Sequence, residues 1–456
     1  MSDKLNEARQ KINEIDSKMA ELFVERMKAA ELVAEHKMEH GLKILDPARE
    51  AEVIRRNSEL VTEPVYKEYY VSFQKSTMAI SREYQAQLIA GGKTESPEVK
   101  NTVSDEALTH TNNIGGNVKA VLDMNLGEDS YRITVGTDLL KNADRYFNLD
   151  RNVFIVTDSG VPHKYADTVK ALCKKATVYT VDMGEESKSI GTLEKLLVAM
   201  CDAELGRHDC VVAIGGGVVG DLSGFAASVY MRGIDFYNVP TTLLSQVDSS
   251  IGGKTAVNLG GIKNTVGSFK QPKAVLIDTD TLSTLPERHF SAGLCEAIKM
   301  AATCNADLFE AIEKMSTEDI HNNIEAIITE ALKIKKQVVE EDVHEGGIRK
   351  VLNFGHTLGH CIEAHEGLSG LYHGECVALG MLAVCSGEVR ERLIPLLSRH
   401  SLPTKYKGDI DCALSYVSHD KKRTSGGIDV VFCNGIGSYE IKNMSIDDFI
   451  KTVKIN

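Results

Sequence analysis

Between residue 3 and about residue 90, apolar side chains return every three or four positions, with Leu5, Ala8, Ile12, Ile15, Met19, Leu22 and Phe23 forming one stripe. That is the period of an amphipathic α-helix. The pattern predicts three helices. The first runs over about 3–39, the second opens where Asp46 can cap and Pro47 can take the first helical position, and the third follows Pro64. At 1.5 Å per residue the first helix would be roughly 55 Å long, more than two shorter partners can cover, so a second copy of the chain is expected against it. From 91 to 117 the stretch GGKTESPEVKNTVSDEALTHTNNIGGN has neither helical nor strand period and reads as a flexible linker.

After the linker the pattern changes. Short β-branched runs, NVFIVTD (152–158), ATVYTVD (176–182), DCVVAIGGG (209–217) and IDFYNVP (234–240), alternate with helical stretches. Such a rhythm implies parallel strands joined by crossover helices. Beyond about 286 helical patterns dominate until DVVFCNGIGSYEI (429–441) suggests a late hairpin. The expected chain is multidomain: an all-α three-helix domain over 1–92, a linker over 93–117, a Rossmann-like α/β nucleotide domain over 118–285 and a mostly helical domain over 286–456. The active cleft is expected between the last two.

Length and composition add a few exclusions. At 456 residues the chain exceeds one ordinary core. It is 43% hydrophobic and 26% charged with a net charge of −13, which suits a soluble globular protein and argues against a nucleic-acid partner. No apolar run reaches the roughly 20 residues of a membrane span, and MSDKLNEARQ is too polar for a signal peptide, so a cytoplasmic location and no membrane partner are expected. The ten cysteines lack CxxC spacing and read as reduced thiols.

Arg26 and Lys37 lie eleven residues apart, nearly on one line of the first helix, among Leu22, Phe23, Ala29, Ala30, Val33 and Ala34. Cations in an apolar face are costly unless an anion meets them or they reach solvent. Arg9 sits about 100° away and would reach the same pocket most naturally from a second protomer. The series Arg9, Ile12, Asp16, Arg26, Lys37, Asp46-Pro47-x-Arg49-Glu50 and Ser81-x3-Gln85 resembles the all-helical chorismate mutase family. The resemblance implies an intertwined dimer in which Arg9 of the partner, Arg26 and Arg49 clamp the two carboxylates of chorismate, and Lys37 and Gln85 donate to its ether oxygen. It further implies that Glu50 holds the substrate hydroxyl and that Asp46 positions neighbours. A domain that binds pathway products as a regulatory or dimerisation module, without turnover, is the alternative.

In DCVVAIGGGVVGDLSGF, Gly215-x-Gly217-x-x-Gly220 follows a strand and opens a helix, a form that suits a pyrophosphate at the helix N-terminus. It departs from the ordinary dinucleotide fingerprint, because two strands precede it and Pro240-Thr241-Thr242 stands where an acidic residue belongs. Asp158 and the turn Gly184-Glu185-Glu186-Ser187-Lys188 are then the candidates for ribose hydroxyls. Residues 240–264, PTTLLSQVDSSIGGKTAVNLGGIKN, read as a glycine-rich loop whose Lys254 and Lys263 suit a phosphorylated ligand.

LNFGHTLGHCIEAHEGLSGLYHGE (352–375) holds four of the fourteen histidines. His356 and His360 are i, i+4, but TLG between them lacks the glutamate of an HExxH metalloprotease. Arg349, Asn353, His356 and His360 share a face, His373 can return another imidazole from the next helix, and Glu296 in GLCEAIK can add a carboxylate. Three N/O ligands with open positions describe a catalytic divalent metal site.

Taken together, GGGVVGD, MRG, VPTTLLSQVDSSIGGKTAVN, TLP, GLCEAIK, R-x3-NFGHTLGH, HGE and DKK resemble 3-dehydroquinate synthase over residues 118–456. The resemblance implies NAD and a divalent metal, Zn²⁺ or Co²⁺, with Glu296, His356 and His373 as ligands and His360 handling protons beside them. It implies conversion of 3-deoxy-arabino-heptulosonate 7-phosphate to 3-dehydroquinate and phosphate. Arg232, Lys254, Asn264, Lys299, Lys335, Arg349, Asn353 and one of Lys421 or Lys422 would surround the substrate, with Asp248 near the nicotinamide. NAD would meet Asp158, Gly184, Glu185, Lys188, Gly216, Gly217, Val218, Val219, Gly220, Asp221, Thr241, Thr242, Lys254, Lys263, Thr281 and Thr284. Met183 and Val343 depart from the family pattern. Another sugar-phosphate cyclase is the alternative, disfavoured because Arg349 and Asn353 suit a ring bearing a carboxylate. The expected partners are these small molecules and further copies of the chain, as a homodimer or larger homo-oligomer.

Overall fold

A computed structural model describes residues 2–40, 47–89, 116–367, 370–419, 423–424 and 427–455. The chain divides into two units, residues 1–103 and 104–456. The first contains α1 (Ser2–Glu39), α2 (Pro47–Ser58) and α3 (Pro64–Ile89). Prolines open α2 and α3, where the missing N–H costs nothing. α1 packs on α3 through small or slender residues, Ala30, Ala34 and Met78, all buried. Leu22, Val24, Leu32, Leu60 and Val65 stay more than half exposed. This unit therefore leaves a large part of its apolar surface open to solvent.

In the second unit the α/β layer comprises β1 (Asn117–Met124), β2 (Tyr131–Thr137), β3 (Asn152–Asp158), α4 (His163–Lys170), β4 (Lys175–Val181), α5 (Ile190–Asp202), β5 (Cys210–Gly215), α6 (Gly217–Val229), β6 (Asp235–Pro240), β7 (Lys254–Leu259), β8 (Ile262–Phe269) and β9 (Ala274–Asp278). Seven strands form one sheet in the order β1-β2-β9-β6-β5-β3-β4, parallel except for β1 at the edge. Two apolar clusters cover the faces of its parallel part. One is built on Ile155, Val212, Ile214 and Val239, the other on Phe154, Val156, Val211 and Ala213. Burial on both faces explains the continuous apolar runs of β3 and β5.

The stretch 240–264 is not the loop expected from its glycines. Ser245–Ser249 form a π-helical turn, and β7 and β8 pair as a two-stranded ribbon. Leu259 opposes Ile262 across Gly260 and Gly261, both in the left-handed region (φ 60° and 79°). That is the backbone of a tight two-residue hairpin, which glycine adopts without strain.

The helical lobe follows: α7 (Glu287–Cys304), α8 (Ala306–Lys314), α9 (Thr317–Asn322), α10 (Ile324–Glu341), α11 (His356–Glu366), α12 (His373–Ala383), α13 (Gly387–Arg399), α14 (Ile410–Ser415), a small sheet of β10 (Arg423–Thr424), β11 (Gly427–Gly435) and β12 (Ser438–Met444), and α15 (Ile446–Ile455). Its core continues into Ile133, Val135, Val275 and Ile277 of β2 and β9. The lobe and the sheet edge thus share one interior. α7 is buried continuously from Phe290 to Thr303. α12 approaches it so closely that a Cβ on Gly374 would lie 2.0 Å from the Ala292 carbonyl oxygen. No described helix is long and apolar enough to cross a membrane, and all ten cysteines are free thiols.

Because a backbone oxygen is what an added methyl would meet, Gly374→Ala is expected to cost at least the upper end of the roughly 1–3 kcal/mol typical of overpacking. Chemical denaturation of the full chain checks this; an unchanged midpoint would contradict the close approach of α7 and α12.

Candidate functional site

Strands β3, β5, β6 and β9 run parallel, so the residues that follow their carboxyl ends gather at one edge of the sheet, where open α/β sheets bind ligands. Asp158 ends β3, and its carboxylate accepts the Gly160 amide at 2.8 Å; burial raises its pKa. After β4 come Gly184 and Glu185, and Glu185 accepts Asn258 Nδ2 of the ribbon at 2.8 Å. β5 leads through Gly216 into α6, so Gly217, Val218, Val219, Gly220 and Asp221 form its first turns. Thr241 and Thr242 follow β6, the latter accepting the Ser245 amide at 3.2 Å. Two of the predicted threonines are engaged internally: Thr281 Oγ1 donates to the Asp278 carbonyl at 2.7 Å, and Thr284 Oγ1 lies 2.9 Å from the Tyr165 hydroxyl.

Lys188 is buried and joins three elements. Its ammonium lies 2.5 Å from Asp221 Oδ2 and also meets the Asn264 side-chain oxygen. Asp248, on the π-helical turn, faces Lys335 of α10 at 2.5 Å, and Lys335 also donates to the Asp248 carbonyl at 2.6 Å. Burial by itself would raise the Asp248 carboxyl, but Lys335 and Lys299 outweigh it and hold it well below the usual carboxylate range.

The Arg349 guanidinium is buried and fixed by two carbonyls, Val343 at 2.5 Å and Gly252 at 3.1 Å. Lys254 on β7 pairs with Glu345, which also accepts Asn353 Nδ2 at 2.7 Å. Arg232 is exposed, and both it and Met231 hold positive φ (68° and 49°), strain of the kind that clusters at functional sites. Lys421 and Lys422 lie outside the described residues.

On the lobe side, His356, His360 and His373 bring one ring nitrogen each within 4.8 Å of one another. His356 Nδ1 faces the Phe354 carbonyl at 3.2 Å, and a carbonyl only accepts, so the ring proton sits on Nδ1 and a lone pair on Nε2. His373 Nε2 lies 3.6 Å from Glu296 Oε1. Glu296 is wholly buried; Lys299 Nζ meets its Oε2 at 2.5 Å, and Oε1 faces His373. His356 and His360 of α11 and His373 of α12 therefore converge, with Glu296 of α7 beside His373. This donor set fits a divalent cation.

Sequence reading missed three carboxylates of this region. Glu345 pairs with Lys254 and Asn353, and no motif marks it. Glu363 lies three residues after His360 and seven after His356, a spacing that already placed it on their face. Glu375 of the HGE triplet accepts Arg288 through both oxygens at 2.7 Å and the Tyr372 amide at 2.7 Å, which fixes where α12 begins and hence where His373 stands.

In the first unit, Arg26 of α1 donates to the Thr77 carbonyl at 3.2 Å and to Ser81 Oγ, and Lys37 donates to Gln85 Oε1 at 3.3 Å. Ser81 and Gln85 are buried on α3, and burial lowers the Arg26 pKa. Arg49 is exposed and pairs with Glu52 at 3.3 Å. Asp46 and the side chains of Arg9 and Glu50 lie outside what is described.

Comparison with known proteins puts names to both units. Residues 178–292 match the family model of the 3-dehydroquinate synthase N-terminal domain, and residues 293–423 that of its C-terminal domain. The 3-dehydroquinate synthase of Pelobacter propionicus is 39% identical over 351 residues, covering 73% of this chain and 98% of that protein. The chain belongs to the 3-dehydroquinate synthase family. The enzyme of the same name from Geobacter sp. is 41% identical over 345 residues, with 70% of this chain and 94% of that protein covered. Residues 8–86 match the model of chorismate mutase type II, so a chorismate mutase domain precedes the synthase domains in this chain. Among solved structures, 2-deoxy-scyllo-inosose synthase, complexed with carbaglucose-6-phosphate, NAD⁺ and Co²⁺, aligns with TM-score 0.66 at 25% identity over 74% of this chain and 100% of that one. The 2-epi-5-epi-valiolone synthase of Streptomyces hygroscopicus subsp. jinggangensis, with NAD⁺ and Zn²⁺ bound, aligns with TM-score 0.67 at 26% identity over 73% and 97%.

Lys335→Met removes the cation that depresses the Asp248 carboxyl. The expected loss is about 1–3 kcal/mol near neutral pH, below the cost of breaking a wholly buried pair because Asp248 keeps partial solvent contact. A depressed carboxyl stabilises above its unfolded value of about 4, so the gap between wild type and variant should close as pH falls below that value. Denaturation at pH 7 and pH 3 checks it; a gap that widens in acid would contradict the pairing.

Proposed function

We propose that the chain is a bifunctional shikimate-pathway enzyme, converting 3-deoxy-arabino-heptulosonate 7-phosphate to 3-dehydroquinate and phosphate in its larger part and chorismate to prephenate in its first domain. The domains we assign are 1–92 for the mutase, 93–117 as linker, 118–285 for nucleotide binding and 286–456 for the metal and substrate. The observation that carries the reading is the convergence of three imidazoles and a wholly buried carboxylate on α7, α11 and α12.

Glu296, His356 and His373 would hold Zn²⁺ or Co²⁺, with His360 beside them to accept or return a proton. When bound, NAD supplies a reversible hydride acceptor, and the metal acidifies the hydroxyl to be oxidised. The rest falls to the chain. The first turn of α6 offers amides and a positive dipole end to the pyrophosphate. Asp158 and Glu185 would accept from ribose hydroxyls, and Lys188, Lys263, Thr241, Thr242, Thr281 and Thr284 would complete the nucleotide side. Arg349, held rigid by two carbonyls, presents a fixed fork to the substrate carboxylate. Lys254, Lys299, Lys335, Arg232, Asn264, Asn353 and Lys421 or Lys422 meet its phosphate and hydroxyls, and Asp248 orders the lysines around the nicotinamide. The relatives at 39–41% identity are dehydroquinate synthases, and this favours that substrate over those of the cyclases at 25–26%.

In the mutase, Arg26 and Arg49, joined by Arg9 of a second copy, bind the carboxylates, and Lys37 and Gln85 donate to the ether oxygen. Glu50 takes the substrate hydroxyl, while Asp46 and Ser81 position neighbours. The exposed apolar stripe of α1 supports a homodimer or larger homo-oligomer. Ten free thiols suit the reducing cytoplasm.

In the full chain, Arg26→Ala is expected to cut mutase turnover by about 10²–10³-fold, the usual cost of one transition-state donor, while leaving synthase activity within about twofold. His356→Ala should do the reverse. Loss of chorismate absorbance and release of phosphate read the two activities. A mutase unaffected by Arg26→Ala would favour the regulatory reading of the first domain. Chelation should abolish phosphate release, Zn²⁺ or Co²⁺ should restore it, and prephenate formation should not respond.

A further inference from the structure

The carboxylate of Glu363 stands between two residues of different lobes. Its Oε1 accepts Lys263 Nζ, from β8 of the ribbon, at 2.9 Å, and its Oε2 faces His373 Nδ1, at the start of α12, at 3.3 Å. Nothing in the proposed reaction uses this group. Yet it is largely buried, and a buried carboxylate held this way persists only because both neighbours compensate it. The contacts give each nitrogen of the His373 ring its own neighbour: Nδ1 faces the Glu363 carboxylate, which can accept a hydrogen bond from it, and Nε2 faces Glu296.

We infer that Glu363 is a positioning residue: it fixes the tautomer and rotation of His373 for the metal, and through Lys263 it ties that imidazole to the ribbon beside the nucleotide site. Carboxylates behind ligating histidines raise their basicity and hold their orientation, and removing one commonly weakens metal binding by 10–100-fold. The inference rests on the metal reading given above. His356 Nδ1 faces a backbone carbonyl instead, whereas His373 Nδ1 faces a side chain.

The test is a chelator-competition titration of the metal-free full chain with Co²⁺, reading affinity and visible absorption bands, for wild type, Glu363→Gln and Glu363→Ala. The expected result is tight binding by wild type, a 10–100-fold loss with altered bands for E363A, and an intermediate loss for E363Q, whose amide oxygen still accepts from Nδ1–H. The inference is overturned if both variants bind Co²⁺ as wild type does with identical bands. It is also overturned if E363Q is as weak as E363A and both losses follow a lower metal-free melting temperature, which marks a purely structural role. A wild type that binds no Co²⁺ would remove the metal reading itself, a distinct outcome visible before any variant is compared.

Discussion

A carboxylate sealed from solvent is the constraint around which the larger unit is organised. Glu296 lies in the middle of a helix buried along fourteen consecutive residues, so its charge has to be balanced locally or given up. Lys299, one turn on, balances part of it; the proposed cation, held jointly with His356 and His373, balances the rest. The neighbouring architecture follows from that need. α12 can bring His373 near only because Gly374 lets its backbone touch α7, and Arg288 clamps Glu375 so that α12 starts where it does.

The cleft shows a second regularity. Lys254 and Lys263 on the ribbon reach carboxylates of the helical lobe, Glu345 and Glu363, while Lys335 of the lobe reaches Asp248 on the sheet side. Cations and anions are thus exchanged across the space where a phosphorylated, carboxylated substrate would sit. Such pairs keep lysines ordered while the cleft is empty, and they present charge that an anionic ligand can recruit without paying to order long side chains first.

Much of this was legible in the chain. Helical period and paired prolines placed all three helices of the first unit, and β-branched runs placed β3, β4, β5 and β6. The histidine spacing on α11 brought His356 and His360 to one face, and HGE supplied the third imidazole. What escaped had physical reasons. β7 and β8 are partly exposed ribbon strands among glycines and polar residues, so they carry little apolar signal; only the Gly260-Gly261 pair marked the turn. β1 alternates, but nothing local says that it joins a parallel sheet antiparallel at its edge. The cationic partners of Glu345, Glu363 and Glu375, which are Lys254, Lys263 and Arg288, lie 87 to 100 residues away, beyond any spacing rule.

Anomalous diffraction from crystals of the full chain grown with Zn²⁺, recorded on both sides of the zinc edge, addresses the central claim most directly. The account predicts one strong peak in the larger unit, in contact with Glu296, His356 and His373. A peak that none of these three side chains touches, or no peak between α7, α11 and α12, would contradict it.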